Sequence, residues 1–182
     1  QVTLDRKHLI IECGRTKYEV RLHAIEEFPS WPKLENYTEV VVPCPVLSSA
    51  IDLTRFAISN IETKWTLDGV LFEIEKDRFT ATGSDGQRLG TASFTIDEDE
   101  DRENCQVILP KKAVDFLAWL SPSLPMVTTR ISDNRVEFVG TEFRFVTAIR
   151  AGNYPPYRKI LPDEDELTTT ITVSKVDLAI AL

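Results

Sequence analysis

Side chains able to do acid–base or nucleophilic chemistry are few in this chain and stand far apart. Two histidines, His8 and His23, are all it offers for proton transfer near neutral pH. His23 lies in an alternating segment and His8 beside the turn that precedes it, so both read as strand or surface residues rather than catalysts. The three cysteines, Cys13, Cys44 and Cys105, are odd in number and widely spaced. That pattern fits reduced thiols in a cytoplasmic protein better than a disulfide framework or a zinc site. Cys44 falls near a predicted helix N-terminus, a place that lowers a thiol pKa, yet no histidine is near it in sequence. A Cys44-dependent enzyme therefore stands only as an alternative. The chain has no nucleophile elbow, no phosphate-cradling glycine loop and no paired-cysteine motif. The expectation is a protein that is not an enzyme and that needs neither cofactor nor metal.

Two other groups of residues suit binding. Lys111 and Lys112 begin a predicted helix, where a cation opposes the helix dipole by roughly 0.3 to 1 kcal/mol. They are either kept for an external anion, phosphate being the obvious one, or are tolerated as solvated lysines. With Arg55 and Lys64 they make a sparse basic surface. The second group is Ser84-Asp85-Gly86-Gln87-Arg88-Leu89. Asp-Gly is a turn signal and accounts for the first half of that segment. Arginine followed by an apolar residue suits a groove rim, and Tyr154 to Leu161 supplies a similar mix of aromatic, proline, basic and apolar groups. Grooves of this kind hold short extended peptides through a few apolar anchors.

The elements that position these residues come in repeats. Phe28-Pro29 recurs in kind as Tyr154-Pro155, 126 residues on. Ahead of the first pair run Leu9 and Ile11, a turn at Gly14, then Tyr18, Val20 and Leu22. Ahead of the second run Val136 and Phe138, a turn at Gly140, then Phe143, Phe145 and Thr147. Beyond the pairs, Glu39–Pro43 and Thr170–Ser174 each predict a strand leading into a helix, the second helix starting at Lys175 and running to Leu182. The chain thus divides into the end of one unit (1–36), a whole unit (37–162) and the start of a third (163–182).

The whole unit is itself doubled. Pro43 and Pro110 each open an amphipathic helix, at a position where the missing N–H is not needed. In the first, Val46, Leu47, Ala50, Ile51, Thr54, Ala57 and Ile58 share one face, with Ser48, Asp52, Arg55 and Ser59 opposite. In the second, Ala113, Val114, Leu117, Ala118 and Leu120 face inward, and Lys111, Lys112, Asp115 and Trp119 outward. Strands follow each helix. Val70, Phe72 and Ile74 alternate up to a turn at Lys76-Asp77 and return through Phe79 and Ala81. Met126–Ile131 turns at Asp133-Asn134 into Arg135–Val139, and Thr141–Ile149 follows. Helix then antiparallel strands, twice, predicts an α+β unit with both helices on one face of a sheet.

Composition agrees with a water-soluble globular chain: 182 residues, 42% hydrophobic and 27% charged. No window approaches the ~18 apolar residues of a membrane span, and no leader-like start is seen. The net charge of −8 argues against a protein that wraps its whole surface in nucleic acid. Nine of the carboxylates sit in two clusters, Asp97–Asp101 and Asp163–Glu166, which read as solvated loops and leave the remainder near neutral.

Several stretches together resemble the bacterial sliding clamps, the β subunits of DNA polymerase III. Thr66-Leu67-Asp68-Gly69-Val70-Leu71-Phe72-Glu73 looks like the family's strand after the first middle-domain helix. Ser84–Leu89 looks like its Asp-Gly-His-Arg-Leu turn, and Ile108-Leu109-Pro110-Lys111-Lys112-Ala113 like the start of its second inner helix. Tyr154-Pro155-Pro156-Tyr157-Arg158-Lys159-Ile160-Leu161-Pro162 is similar to its Phe-Pro-Asp-Tyr-Arg-Arg close. The resemblance implies a DNA-clamp fold, two helices packed on antiparallel sheets and internally duplicated within the domain. It implies three such domains in the full-length chain and a homodimeric ring around double-stranded DNA, held without regard to sequence.

The partners it implies are the polymerase III catalytic subunit, the clamp loader and other proteins with clamp-binding peptides. By the same resemblance, Leu67, Ser84, Gly86, Gln87, Arg88, Leu89, Pro155, Lys159 and Ile160 form the middle-domain side of the peptide groove. Arg55, Lys64, Lys111 and Lys112 face the DNA channel, and Arg15 and Lys17 mark the dimer seam. Gln87 stands where the family usually has His, Lys159 where it has Arg and Pro156 where it has Asp. An ammonium at 159 forgoes bidentate recognition. The implied function is a processivity clamp; the alternative is a peptide-binding module of the same fold that does not encircle DNA. This piece is expected to be a monomer, with half of the groove.

Overall fold

Alternating apolar residues on either side of Gly14 make a hairpin in the computed structural model, which describes residues 1–5, 7–60, 66–162 and 167–181. Gly14 has φ +60°, the left-handed region where a residue with a Cβ is strained. Strands β1 (Val2–Asp5), β2 (His8–Cys13) and β3 (Thr16–Arg21) form an antiparallel sheet in the order β1-β2-β3. Tyr18 and Val20 of β3 remain exposed. These strands belong to a first compact unit, Gln1–Glu35; the second is Asn36–Leu182.

In the second unit, β4 (Thr38–Pro43) leads directly into α1 (Cys44–Asp52), with Pro45 in the first helical turn. Three strands follow: β5 (Gly69–Ile74), β6 (Arg78–Ser84) and β7 (Leu89–Thr95). The order then repeats as β8 (Cys105–Pro110), α2 (Lys111–Leu120), β9 (Met126–Ile131), β10 (Arg135–Val139) and β11 (Arg144–Ala148).

The strands form two sheets of four, as the resemblance implies, rather than the one sheet that the helix–strand order alone predicts, because the halves exchange their first strands. One sheet has the order β11-β10-β9-β4, the other β7-β6-β5-β8. Val40 of β4 is opposite Thr129 of β9, and Leu109 of β8 is opposite Val70 of β5. Each half is thus closed by a strand from the other, and neither can complete its sheet alone.

One continuous core lies under both helices and both sheets. Leu47 and Ile51 of α1, Val114 and Leu117 of α2, Phe72 and Phe79 of the second sheet and Val136 and Phe138 of the first all belong to it. Phe72 and Phe79 meet edge to face, centroids 4.9 Å apart. Burying each such ring is worth about 1.5 to 3 kcal/mol.

The first helix is shorter than its apolar periodicity predicts. It ends at Asp52, and a single 3-10 turn, Arg55–Ala57, carries Ala57 to the core. Thr54 is fully buried and its Oγ1 donates to the Ala50 carbonyl at 2.7 Å. Here the backbone descends onto the sheet: a Cβ added at Gly83 of β6 would lie 2.3 Å from the Thr54 carbonyl oxygen. Ser59, read as outward, is buried at 1% exposure, since beyond the helix the chain no longer follows the helical wheel.

A second departure concerns Thr170–Ser174, which forms no strand. Its counterpart β4 is held by β9, about 90 residues further along, and among the described residues this segment has no such partner. The helix after it does form, as α3 (Lys175–Ala181), with Asp177 N donating to Ser174 Oγ; Leu182 lies outside the described residues.

Candidate functional site

The β6–β7 turn is built by Asp85. Its Oδ1 accepts from the backbone N–H of Gln87 at 2.9 Å and of Arg88 at 2.8 Å, and its Oδ2 accepts from Arg88 Nε at 3.0 Å and Nη2 at 2.8 Å. The bonds from Gln87 and Arg88 hold the Asp85 carboxyl down at about 2. Ser84 Oγ accepts from Gly86 N and donates to the Arg88 carbonyl, and Gly86 takes φ +89°. The turn is a fixed loop in which Arg88 is already paired at one edge.

The facing wall is the segment from Tyr154 to Ile160. Tyr157–Ile160 forms one 3-10 turn, and Tyr157 is 6% exposed. Its hydroxyl donates to Glu73 Oε2 at 2.5 Å, while Arg158 Nη1 reaches Glu73 Oε1 at 2.8 Å. Burial, then the Glu73 contact, raises the Tyr157 pKa, and burial raises that of Tyr154.

Turn and segment meet over a small apolar cluster separate from the main core. Leu71, Ile108 and Tyr157 are buried in it, with Leu89 and Tyr154 packed alongside. Tyr154 and Tyr157 contact edge to face at 6.5 Å. Beside it opens a cleft of about 240 Å3 lined by Leu71, Tyr154, Pro155, Tyr157, Arg158 and Lys159, among others. Of the predicted groove residues, Leu89 joins the floor, and Pro155 and Lys159 line the cleft. Ser84, Gly86, Gln87 and Arg88 make the adjoining turn. Leu67 is buried, and Ile160 stands 72% exposed. Leu71, Glu73, Ile108 and Tyr157 were missed as site residues. Only Leu71 and Ile108 leave a signal in the sequence, as apolar residues on the faces of β5 and β8 turned away from the main core.

On the helices, Arg55 pairs with Asp52 at 3.2 Å, and Lys111 Nζ donates to Asn60 Oδ1. Lys112 is exposed, and Lys64 lies outside the described residues. In the first unit, Arg15 follows the Gly14 turn and Lys17 pairs across the hairpin with Glu12 at 3.5 Å. Cys44 is fully buried and burial raises its pKa, which opposes the activated thiolate its helix position suggested. Among the described residues no three His, Cys, Asp or Glu side chains gather as a metal site, and no helix is long and apolar enough to cross a membrane.

Two doubled halves with exchanged first strands are a specific topology, and it has relatives. Residues 35–156 match the family described as DNA polymerase III beta subunit, central domain. The chain belongs to the DNA polymerase III beta subunit family. The beta sliding clamp of Bacillus subtilis is 28% identical over 176 residues, covering 96% of this chain and 46% of the relative. In fold, the DNA polymerase III subunit beta of Pseudomonas aeruginosa matches with a TM-score of 0.80 at 22% identity, over 90% of this chain and 45% of that one. A Pseudomonas aeruginosa sliding clamp bound to griselimycin matches with a TM-score of 0.80 at 23% identity, over 89% and 44%. The chain spans a little under half the length of these beta subunits. Its second unit has the α+β sliding-clamp fold of the family, with the turn, cluster and cleft described above on the sheet that contains β5 and β8.

Proposed function

We propose that this chain is the middle portion of a DNA sliding clamp, a non-enzymatic cytoplasmic processivity factor that encircles duplex DNA and tethers a replicative polymerase. Residues 1–36 then end one clamp domain, 37–162 form a complete one and 163–182 begin the next. The supporting observation is the floor shared by the Asp85 turn and the Tyr154–Ile160 segment, a preformed apolar site with a polar rim on a clamp fold. A partner's extended peptide binds there, with Leu67, Ser84, Gly86, Gln87, Arg88, Leu89, Pro155, Lys159 and Ile160 as this domain's side of the groove. The polymerase III catalytic subunit and the clamp loader are the partners proposed for it.

Arg55, Lys64, Lys111 and Lys112 face the duplex, and Arg15 and Lys17 the dimer seam. Contacts to phosphate alone allow sliding without reading sequence. The 182-residue chain is a monomer, and light scattering that gave a stable dimer would count against this. The alternative, a peptide-binding module that never encircles DNA, is favoured by one observation: Arg55 and Lys111 are engaged by Asp52 and Asn60, which leaves the helix face lightly charged.

Two assays test the proposal, and the second separates the two readings. Griselimycin, titrated into the chain, should bind more weakly to Arg88→Ala and Lys159→Ala variants under either reading. Full-length protein loaded on circular DNA should stay trapped and run off once the circle is cut. Release from the intact circle as fast as from the linear form would leave only the module.

A further inference from the structure

Four aromatic rings form a chain from the core to the surface of α2. Phe138 is fully buried; its ring lies 6.1 Å from Phe145, Phe145 lies 4.5 Å from Phe116, and Phe116 lies 5.8 Å from Trp119. Exposure rises outward, to 37% at Phe116 and 73% at Trp119. Trp119 is braced by a ring that is itself braced by the sheet, and it ends the series with most of its surface in water.

Lys112 shares the stripe, one turn before Phe116 and two before Trp119. It lies about 10 Å from Trp119 along the helix axis. Arg55 belongs to the 3-10 turn that packs against α2. Asp115 sits on the same stripe, so the local charge is modest and any polyanion must gain more from the rings than from the cations.

We propose that Trp119, seated on Phe116, is a stacking platform for unpaired bases of a nucleic-acid strand whose phosphate meets Lys112. The proposal rests on the reading that this helix face is turned toward DNA. Bases in an intact duplex are already stacked on each other and present no free face. The platform therefore distinguishes single-stranded from paired DNA, and a clamp carrying it dwells where a strand is unpaired. Stacking is sequence-tolerant, because every base has a π-face.

The test uses the whole 182-residue chain with a fluorescent twelve-nucleotide oligothymidylate and a twelve-base-pair duplex, both followed by anisotropy. Trp119→Ala should weaken oligothymidylate binding at least about fivefold, Trp119→Phe should restore part of it, and duplex binding should change less than about twofold. Trp119 is exposed, so these variants keep the fold, and an unchanged urea midpoint of each verifies it. Equal affinity of wild type and Trp119→Ala for oligothymidylate overturns the platform, as does equal loss on both ligands or no binding of oligothymidylate by the wild type. In each of those cases retention of the full-length ring on circular DNA still decides the clamp reading independently.

Discussion

Tyr157 is bound to Glu73 through a 2.5 Å hydrogen bond from its hydroxyl, and this contact fastens the Tyr154–Ile160 segment to β5. Arg158 shares the same carboxylate, so one side chain of the sheet holds two consecutive residues of the segment. Removing the acceptor takes the carboxylate from a buried hydroxyl and leaves it only the Thr82 side chain, at a cost of about 1 kcal/mol. Glu73→Ala should lower the urea midpoint accordingly and speed amide exchange at residues 157–160, with Glu73→Gln milder. Unchanged exchange in that segment would show that it is held by its apolar contacts alone.

Across the other sheet, Glu39, Arg130, Glu137 and Arg144 alternate in charge over all four strands. Arg130 reaches Glu39 at 2.7 Å and Glu137 at 3.3 Å, and Arg144 reaches Glu137 at 2.6 Å. Glu137 is 2% exposed, whereas the two arginine side chains are 30% and 53% exposed. The order of damage follows from that asymmetry. Arg130→Ala with Arg144→Ala takes both guanidiniums from a buried carboxylate and should cost about 3 kcal/mol or more. Glu137→Met, which leaves cations that water can solvate, should cost clearly less. Chemical denaturation of the three proteins reads the difference.

Much of this architecture is legible in the chain because alternation survives wherever a strand has one wet face. The β10–β11 hairpin follows directly from Val136, Phe138, Phe145 and the Gly140 turn. β7 is not legible, and the reason is steric. Of its inward residues Gly90, Ala92 and Phe94 only the last is large and apolar, and Gly90 must be small because the loop after α1 comes close: a Cβ added there would be 2.8 Å from the Leu53 carbonyl oxygen and 3.1 Å from the Phe56 ring. The close approach that makes the strand necessary also erases its apolar signal. The strand exchange escapes for a different reason, since no local pattern tells β4 that its partner is β9. At the site, the turn is readable from Asp-Gly, but the floor requires knowing that Tyr157 returns onto Leu71 and Ile108.

Gly83 carries a further stability prediction. A methyl group there meets backbone, the Thr54 carbonyl, which has no rotamer to yield. Gly83→Ala should destabilise the second unit by about 1 to 3 kcal/mol. Thermal unfolding of the variant measures it, and an unchanged midpoint would mean that the α1 end and β6 separate freely.

The Asp85 turn should report acid. Its carboxyl is held at about 2, below the ordinary value near 3.9. A depressed folded pKa means that the contribution of the ionised form is complete above the unfolded value and is lost as pH falls through the folded one. The amide shifts of Gln87 and Arg88 should therefore stay constant down to about pH 3.5 and move together with a midpoint near 2. Asp85→Asn should abolish the transition, and a midpoint near 4 would show that the bonds to the turn do not persist in solution.

Thiol reactivity offers the last test, because the three cysteines sit in three environments. Cys13 is exposed, Cys105 is partly covered, and Cys44 is buried at the start of α1 beneath Leu117 and Val127. Only the thiolate reacts quickly, and burial disfavours it at Cys44 more than the helix N-terminus can promote it, so its pKa is raised. Iodoacetamide at pH 8 should modify Cys13 rapidly and Cys44 only at the rate of unfolding. Since the folded pKa lies above the unfolded value near 8.5, the stabilisation from the neutral buried thiol is whole below that pH and declines above it. Cys44→Ala should reduce this alkaline decline, to which Cys105, whose thiol pKa burial also raises, contributes as well. Rapid labelling of Cys44 in the native protein would mean that the start of α1 opens locally, and the main core with it.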